Sequence, residues 1–137
     1  MEEPFEERYR DVLFSMENVL MPLYNKYAKM TDHSVIYAIE TLIKSLNAEA
    51  QGRTVALPEF QPHEQDAFNS LRAISYWLMG QGQMTDEKGR EIEREIGPKS
   101  REEIIECLKR IHKSAQFWLK RGGRRGYFEY VSQYLSS

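Results

Sequence analysis

Residues 31–52 read TDHSVIYAIETLIKSLNAEAQG, and the apolar residues of this stretch recur at spacings of three and four. That spacing places them on one face of an α-helix. Thr31 and Asp32 can cap the first turn, and Gly52 can provide the stop. The residues predicted to face inward are Val35, Ile36, Ile39, Leu42, Ile43, Leu46 and Ala50.

The preceding stretch, residues 5–29, carries a second apolar stripe of the same period. Pro22 interrupts this helix, because proline has no N–H and its ring crowds the preceding turn. The stripe nevertheless stays in register on both sides of Pro22. The pattern therefore predicts one helix kinked at Pro22, or two nearly collinear pieces.

Further helices are predicted after an apolar connector at residues 53–61. Pro62 suits the first turn of a third long helix, which ends near Gly80. Residues 85–96 are highly charged and predict a short exposed helix. Ser100 and Glu103 form a capping box that opens a fourth long helix. A last helix is predicted over residues 124–135.

Together these segments predict an all-α fold in a single domain, residues 1–137. Short connections favour antiparallel neighbours, so the leading architecture is an irregular up-and-down bundle of four to five principal helices. An array of helix pairs of the tetratricopeptide kind is the second interpretation, although no fixed-period repeat is present.

Residues 11–53 contain DVLFSMENVLMPLYNKY followed by TDHSVIYAIETLIKSLNAEAQGR. This part of the chain resembles a group of small uncharacterised bacterial helical proteins. The resemblance implies a helical fold and carries no function or residue role with it.

The composition is typical of a soluble globular protein, with 41% hydrophobic and 29% charged residues in a chain of 137. Cys107 is the only cysteine, which excludes an intramolecular disulfide. The acidic start MEEPFEERYRD is unlike a signal or transit peptide, and no apolar run reaches the length of a membrane span. We therefore expect a cytoplasmic protein without a membrane partner.

A basic stretch runs from residue 109 to residue 125 without an acid, although the chain as a whole has a net charge of −2. Cations near a helix end can hold phosphate, but they also complement the helix dipole and solvate an outer face. The candidate anion or nucleic-acid contacts are Lys109, Lys113, Lys120, Arg121, Arg124 and Arg125. Pairing of this basic end with the acidic start is the alternative that needs no partner.

Aromatic residues suggest a different surface. Tyr76 and Trp77 widen the apolar face of the third helix beyond what one neighbour covers, and Tyr130 lies off the stripe of the last helix. Surplus aromatic area is common at protein interfaces. These three residues are the candidate interface, and a homodimer would account for them.

The sequence lacks the residue patterns of the catalytic and metal-binding sites that were considered. Neither HExxH nor paired Glu-x-x-His is present around His33, His63 or His112, so we expect no metal and no cofactor. Acidic neighbours disfavour a thiolate at Cys107. The sequence therefore predicts a non-catalytic, self-associating protein-interaction or regulatory module. The alternative is a nucleic-acid or phosphate binder that uses residues 109–125.

Overall fold

The computed structural model describes residues 5–81 and 98–120. These residues form helices and irregular connections without a strand, which confirms the all-α class. The predicted helices at 85–96 and 124–135 lie outside the described residues. The described helices are α1 (Phe5–Arg8), α2 (Arg10–Lys26), α3 (Asp32–Ala50), α4 (Pro62–Leu78) and α5 (Arg101–Leu119).

The helix ends follow local sequence signals. At the start of α3, the Thr31 side chain accepts a hydrogen bond from the backbone N–H of Ser34. Before α5, Ser100 and Glu103 exchange backbone-to-side-chain hydrogen bonds of 3.0 and 3.1 Å, which confirms the predicted capping box. Gly52 after α3 has a φ of +70°, a conformation that glycine adopts without the clash a Cβ would cause.

The apolar stripe of residues 5–29 contains two helices, since Tyr9 separates α1 from α2. Helix α2 continues through Pro22, whose side chain is exposed. The proline removes one backbone hydrogen bond, but its outward position keeps the ring away from the packed face. The kink predicted at Pro22 stays a prediction.

Helix α3 is the centre of the packing, because it contacts both α4 and α5, while α2 packs mainly against α4. Its inward residues Val35, Ile39 and Leu42 are completely buried. They meet a core to which the other helices contribute Met16, Leu20, Phe68, Leu71, Trp77, Leu78, Ile104 and Leu108. No described helix is long and apolar enough to cross a membrane.

Helices α3 and α4 run in the same direction. Near their starts, Ser34 Oγ lies 3.1 Å from His63 Nε2, and towards their ends Arg72 Nη2 lies 3.3 Å from Glu49 Oε1. Residues 51–61 must therefore return along the bundle, a distance of about 27 Å that an extended chain of this length can span. The predicted up-and-down alternation is wrong at this connection, because the connector is long enough to reverse the chain without pairing α3 and α4 antiparallel.

Helix α5 runs antiparallel to α3. Arg101, at its start, donates to the backbone oxygen of Leu46 at 3.3 Å, and His112 lies 2.9 Å from Glu40. The last turns of α5 consequently lie beside the first turns of α3.

Prediction for the core. Replacing Leu42 by alanine should lower the free energy of unfolding by about 2–5 kcal/mol, because the cavity would lie where α3 meets its neighbours. Lys44→Ala, an exposed position two residues along the same helix, should change it by about 0.5 kcal/mol or less. Urea titration followed by circular dichroism measures both. Equal effects would contradict the central position of α3.

Candidate functional site

The predicted basic stretch is described as far as Lys120, and Arg121, Arg124 and Arg125 lie outside the described residues. Lys109, Lys113 and Lys120 are exposed. Lys109 Nζ lies 3.6 Å from Glu106 Oε1 on the same helix, so an acid already accompanies this cation. Lys113 and Lys120 have a different setting, because both line a groove.

This groove, about 430 Å³ in volume, lies between the start of α3 and the end of α5. Its lining residues are His33 and Ile36 from α3, and Lys113, Gln116, Phe117, Leu119 and Lys120 from α5. Within residues 5–81 and 98–120, no carboxylate lines the groove. Sequence reasoning identified the two lysines but missed the α3 residues opposite them, because the meeting of these helix ends is a tertiary contact.

Tyr76 is half-buried in a polar cluster that joins three helices. Its hydroxyl donates a hydrogen bond to Glu49 of α3. Arg72 of α4 and Arg101 of α5 each approach the same carboxylate at 3.3 Å. The Arg72 guanidinium also lies over the Tyr76 ring, 5.0 Å from its centroid. Tyr76 thus links elements within one chain.

The titration of Glu49 reflects this cluster. Partial burial by itself would raise the pKa of the Glu49 carboxyl, but hydrogen bonds from Tyr76, Arg72 and Arg101 outweigh burial and hold that pKa below its ordinary value. The pKa of the Tyr76 hydroxyl is raised, mainly by its partial burial and next by its hydrogen bond to the Glu49 carboxylate. Glu49 is therefore a charged acceptor at neutral pH.

Trp77 occupies a core position and is only 2% exposed. Its predicted interface role does not fit this position, because a side chain with so little exposed area has almost no surface left for a partner. The sequence shows how wide an apolar face is, but not how many helices pack on it. Tyr130, the third residue of the predicted interface, lies outside the described residues.

Cys107 is buried, and His63 and His112 each contact a residue of another helix. Burial, with a smaller contribution from Glu103, raises the pKa of the Cys107 thiol to about 12, so the thiol stays protonated. His63 contacts Ser34, and His112 contacts Glu40 across α5 and α3. Within residues 5–81 and 98–120, no three His, Cys, Asp or Glu side chains gather closely enough to hold a metal ion.

A surface that sequence reasoning missed lies on α2. Phe14 and Met21 are 44% and 39% exposed, and Glu17 lies between them at the border of the core. Spacings of three and four place all three on one stripe of the helix, which we call the α2 face. The sequence does contain a signal for this surface: Phe14 and Met21, two large apolar residues seven positions apart, fall outside the inward-facing stripe of the helix.

Glu17 is a buried acid in an unusual setting. Its side chain is 7% exposed, and among the described residues its Oε2 has no hydrogen-bond partner. Burial raises the pKa of Glu17 to about 7. A carboxyl of this kind is partly neutral at physiological pH, whereas an exposed glutamate would be fully charged.

Comparisons with known proteins found no matching family model, no matching curated protein and no matching solved structure. The resemblance of residues 11–53 to small bacterial helical proteins therefore stays a prediction.

Prediction for the polar cluster. Tyr76→Phe removes one donor to Glu49 and should lower the free energy of unfolding by about 1 kcal/mol. Tyr37→Phe is the matched control, because Tyr37 is exposed and packs through its ring against Phe60. Chemical denaturation of both variants provides the test. A loss of equal size in the two would show that the Tyr76 hydroxyl contributes nothing.

Prediction for Glu17. The folded protein binds the Glu17 proton more tightly than the unfolded chain, whose glutamate pKa is near the ordinary 4.5. The free energy of unfolding should therefore fall as pH rises from about 4.5 to about 7 and then level off. Glu17→Gln should remove this contribution and raise stability at pH 8 by roughly 1–3 kcal/mol.

The control for this prediction is Glu59→Gln, at an exposed position in the connector. Thermal unfolding of the three proteins at pH 5, 6, 7 and 8 gives the profiles. Parallel profiles for Glu17→Gln and the unsubstituted chain would contradict the raised pKa.

Proposed function

We propose that this chain is a non-catalytic helical module that acts by binding protein, and that its partner is a second copy of itself. The observation that carries the proposal is the exposure of Phe14 and Met21 on either side of the buried Glu17 carboxyl. Large apolar side chains grouped on one helix stripe are a common feature of interaction surfaces. The α2 face is thus the leading candidate interface, Trp77 leaves the predicted set because it is buried, and Tyr76 and Tyr130 stay predictions.

A second copy fits the α2 face for two reasons. A two-fold interface brings the same patch of both copies together, and Phe14 of one helix can pack against Met21 of an antiparallel partner helix. Such an arrangement also brings the two Glu17 side chains near each other. Because the pKa of Glu17 is about 7, protonation can relieve the repulsion that two ordinary glutamates would cause.

Support for a non-catalytic role comes from Cys107, the most nucleophilic type of side chain in the chain, which burial keeps as a neutral thiol. We further infer an irregular bundle of four to five principal helices in one domain, with a kink at Pro22. A cytoplasmic location stays a prediction of the composition.

The second proposal is a nucleic-acid or phosphate binder that uses the basic stretch of residues 109–125. It is favoured by Lys113 and Lys120, which share a groove to which the described part of the chain contributes no acid. Lys109 gives it less support, because Glu106 lies within 3.6 Å of its ammonium group.

Prediction for assembly. Multi-angle light scattering at pH 6 should give twice the 16.2 kDa mass of one chain. The dimer should weaken at pH 8, where Glu17 is charged. Phe14→Ser combined with Met21→Ser should yield the mass of a single chain at both pH values, because the apolar contact is lost.

Leu57→Ser is the matched control, since Leu57 is a 50% exposed apolar side chain that belongs to the connector and not to α2. It should leave the dimer unchanged. A single-chain mass for the unsubstituted protein at pH 6 and high concentration would refute self-association, and a dimer that survives the double substitution would refute the α2 face.

A further inference from the structure

The groove between α3 and α5 is lined by both polar and apolar side chains. Its polar residues are Lys113, Lys120, His33 and Gln116. Its apolar residues are Ile36 and Leu119, which are half-buried, and Phe117, which is 44% exposed. A ligand that matches this lining needs an anionic part and an apolar or planar part.

The charge around the groove favours an anion. Among the described residues, the lining contains two lysines and no carboxylate. Two acids of α3 near these residues in sequence do not line the groove: Glu40 contacts His112 at 2.9 Å, and Asp32 accepts a hydrogen bond from Tyr24 at 2.8 Å. His33 also belongs to the first turn of α3, where helix N–H groups lack intrahelical acceptors and the helix dipole adds to the positive potential.

The size of the groove favours a small molecule. Sites for small ligands are clefts of about 300–1,000 Å³, and this groove, at about 430 Å³, lies within that range. A nucleic-acid strand would need cations that continue along the helix surface. The next described lysine, Lys109, lies outside the groove lining and is accompanied by Glu106.

We propose that this groove binds a small organic phosphate. The phosphate lies between Lys113 and Lys120 near the start of α3, and the apolar or planar part of the ligand lies against Ile36 and Leu119. The inference deepens the second proposed function, on which it rests, and is independent of self-association. It assigns His33 and Gln116 as polar contacts, of which His33 lies outside the basic stretch.

Phenyl phosphate is a suitable probe, because it combines a phosphate with a planar ring. Calorimetric titration at low salt should show binding that weakens at least tenfold for the Lys113→Glu, Lys120→Glu double variant. Lys109→Glu is the matched control, since it reverses a charge on the same helix outside the groove, and its affinity should stay within twofold. Ile36→Ser should weaken phenyl phosphate and leave the weaker binding of inorganic phosphate unchanged.

Three results would overturn the inference: no binding of phenyl phosphate at low salt, equal loss from Lys109→Glu and the groove variants, or equal affinity for inorganic and phenyl phosphate. A single-stranded oligonucleotide, titrated in parallel, separates this inference from the broader proposal. Oligonucleotide binding that depends on Lys109, without binding of phenyl phosphate, would reject the groove ligand and keep the nucleic-acid function. If neither phenyl phosphate nor the oligonucleotide binds, the groove ligand and the nucleic-acid or phosphate function are both rejected.

Discussion

Helix α3 must be covered on two sides at once, because its apolar stripe is wider than one neighbouring helix can bury. Val35, Ile39 and Leu42 lose all contact with water only when α4 and α5 pack on either side of it. This requirement determines much of the remaining structure. It places the connector along the outside of the bundle, and it brings the basic end of α5 to the start of α3, where the groove forms.

Polar contacts fix the register of these packed helices more sharply than apolar burial does. Glu49 holds α4 and α5 at one end of α3, and the contact of His112 with Glu40 holds α5 further along. Apolar packing tolerates small shifts along a helix, whereas a carboxylate with three donors does not. The cluster at Glu49 therefore stabilises one alignment of the helices more than it adds to the total free energy of folding, since its members are partly exposed.

The parts of the fold that sequence reasoning predicted are those set by neighbouring residues. Three helix starts depend on contacts within about one turn, and the residues that make them are close neighbours in the sequence. They are the cap at Thr31, the capping box of Ser100 with Glu103 and the start at Pro62. The position of Trp77 in the core and the burial of Glu17 depend on where distant helices pass. For the same reason the lysines of the groove could be predicted as a basic stretch, but His33 and Ile36 opposite them could not.

The long connector between α3 and α4 has a consequence for how the chain acquires its structure. Among the described residues the principal contacts join α3 with α5, α3 with α4 and α2 with α4. Two of the contacts between α3 and α5 link residues 52 and 72 positions apart. Closing such loops costs entropy before the contacts form, and proteins dominated by distant contacts fold more slowly than simple helical hairpins. During synthesis, α3 would emerge from the ribosome well before α5 exists, with one side of its apolar stripe still open to water. The chain is therefore most exposed to aggregation and to chaperones in the interval before its carboxyl-terminal half is complete.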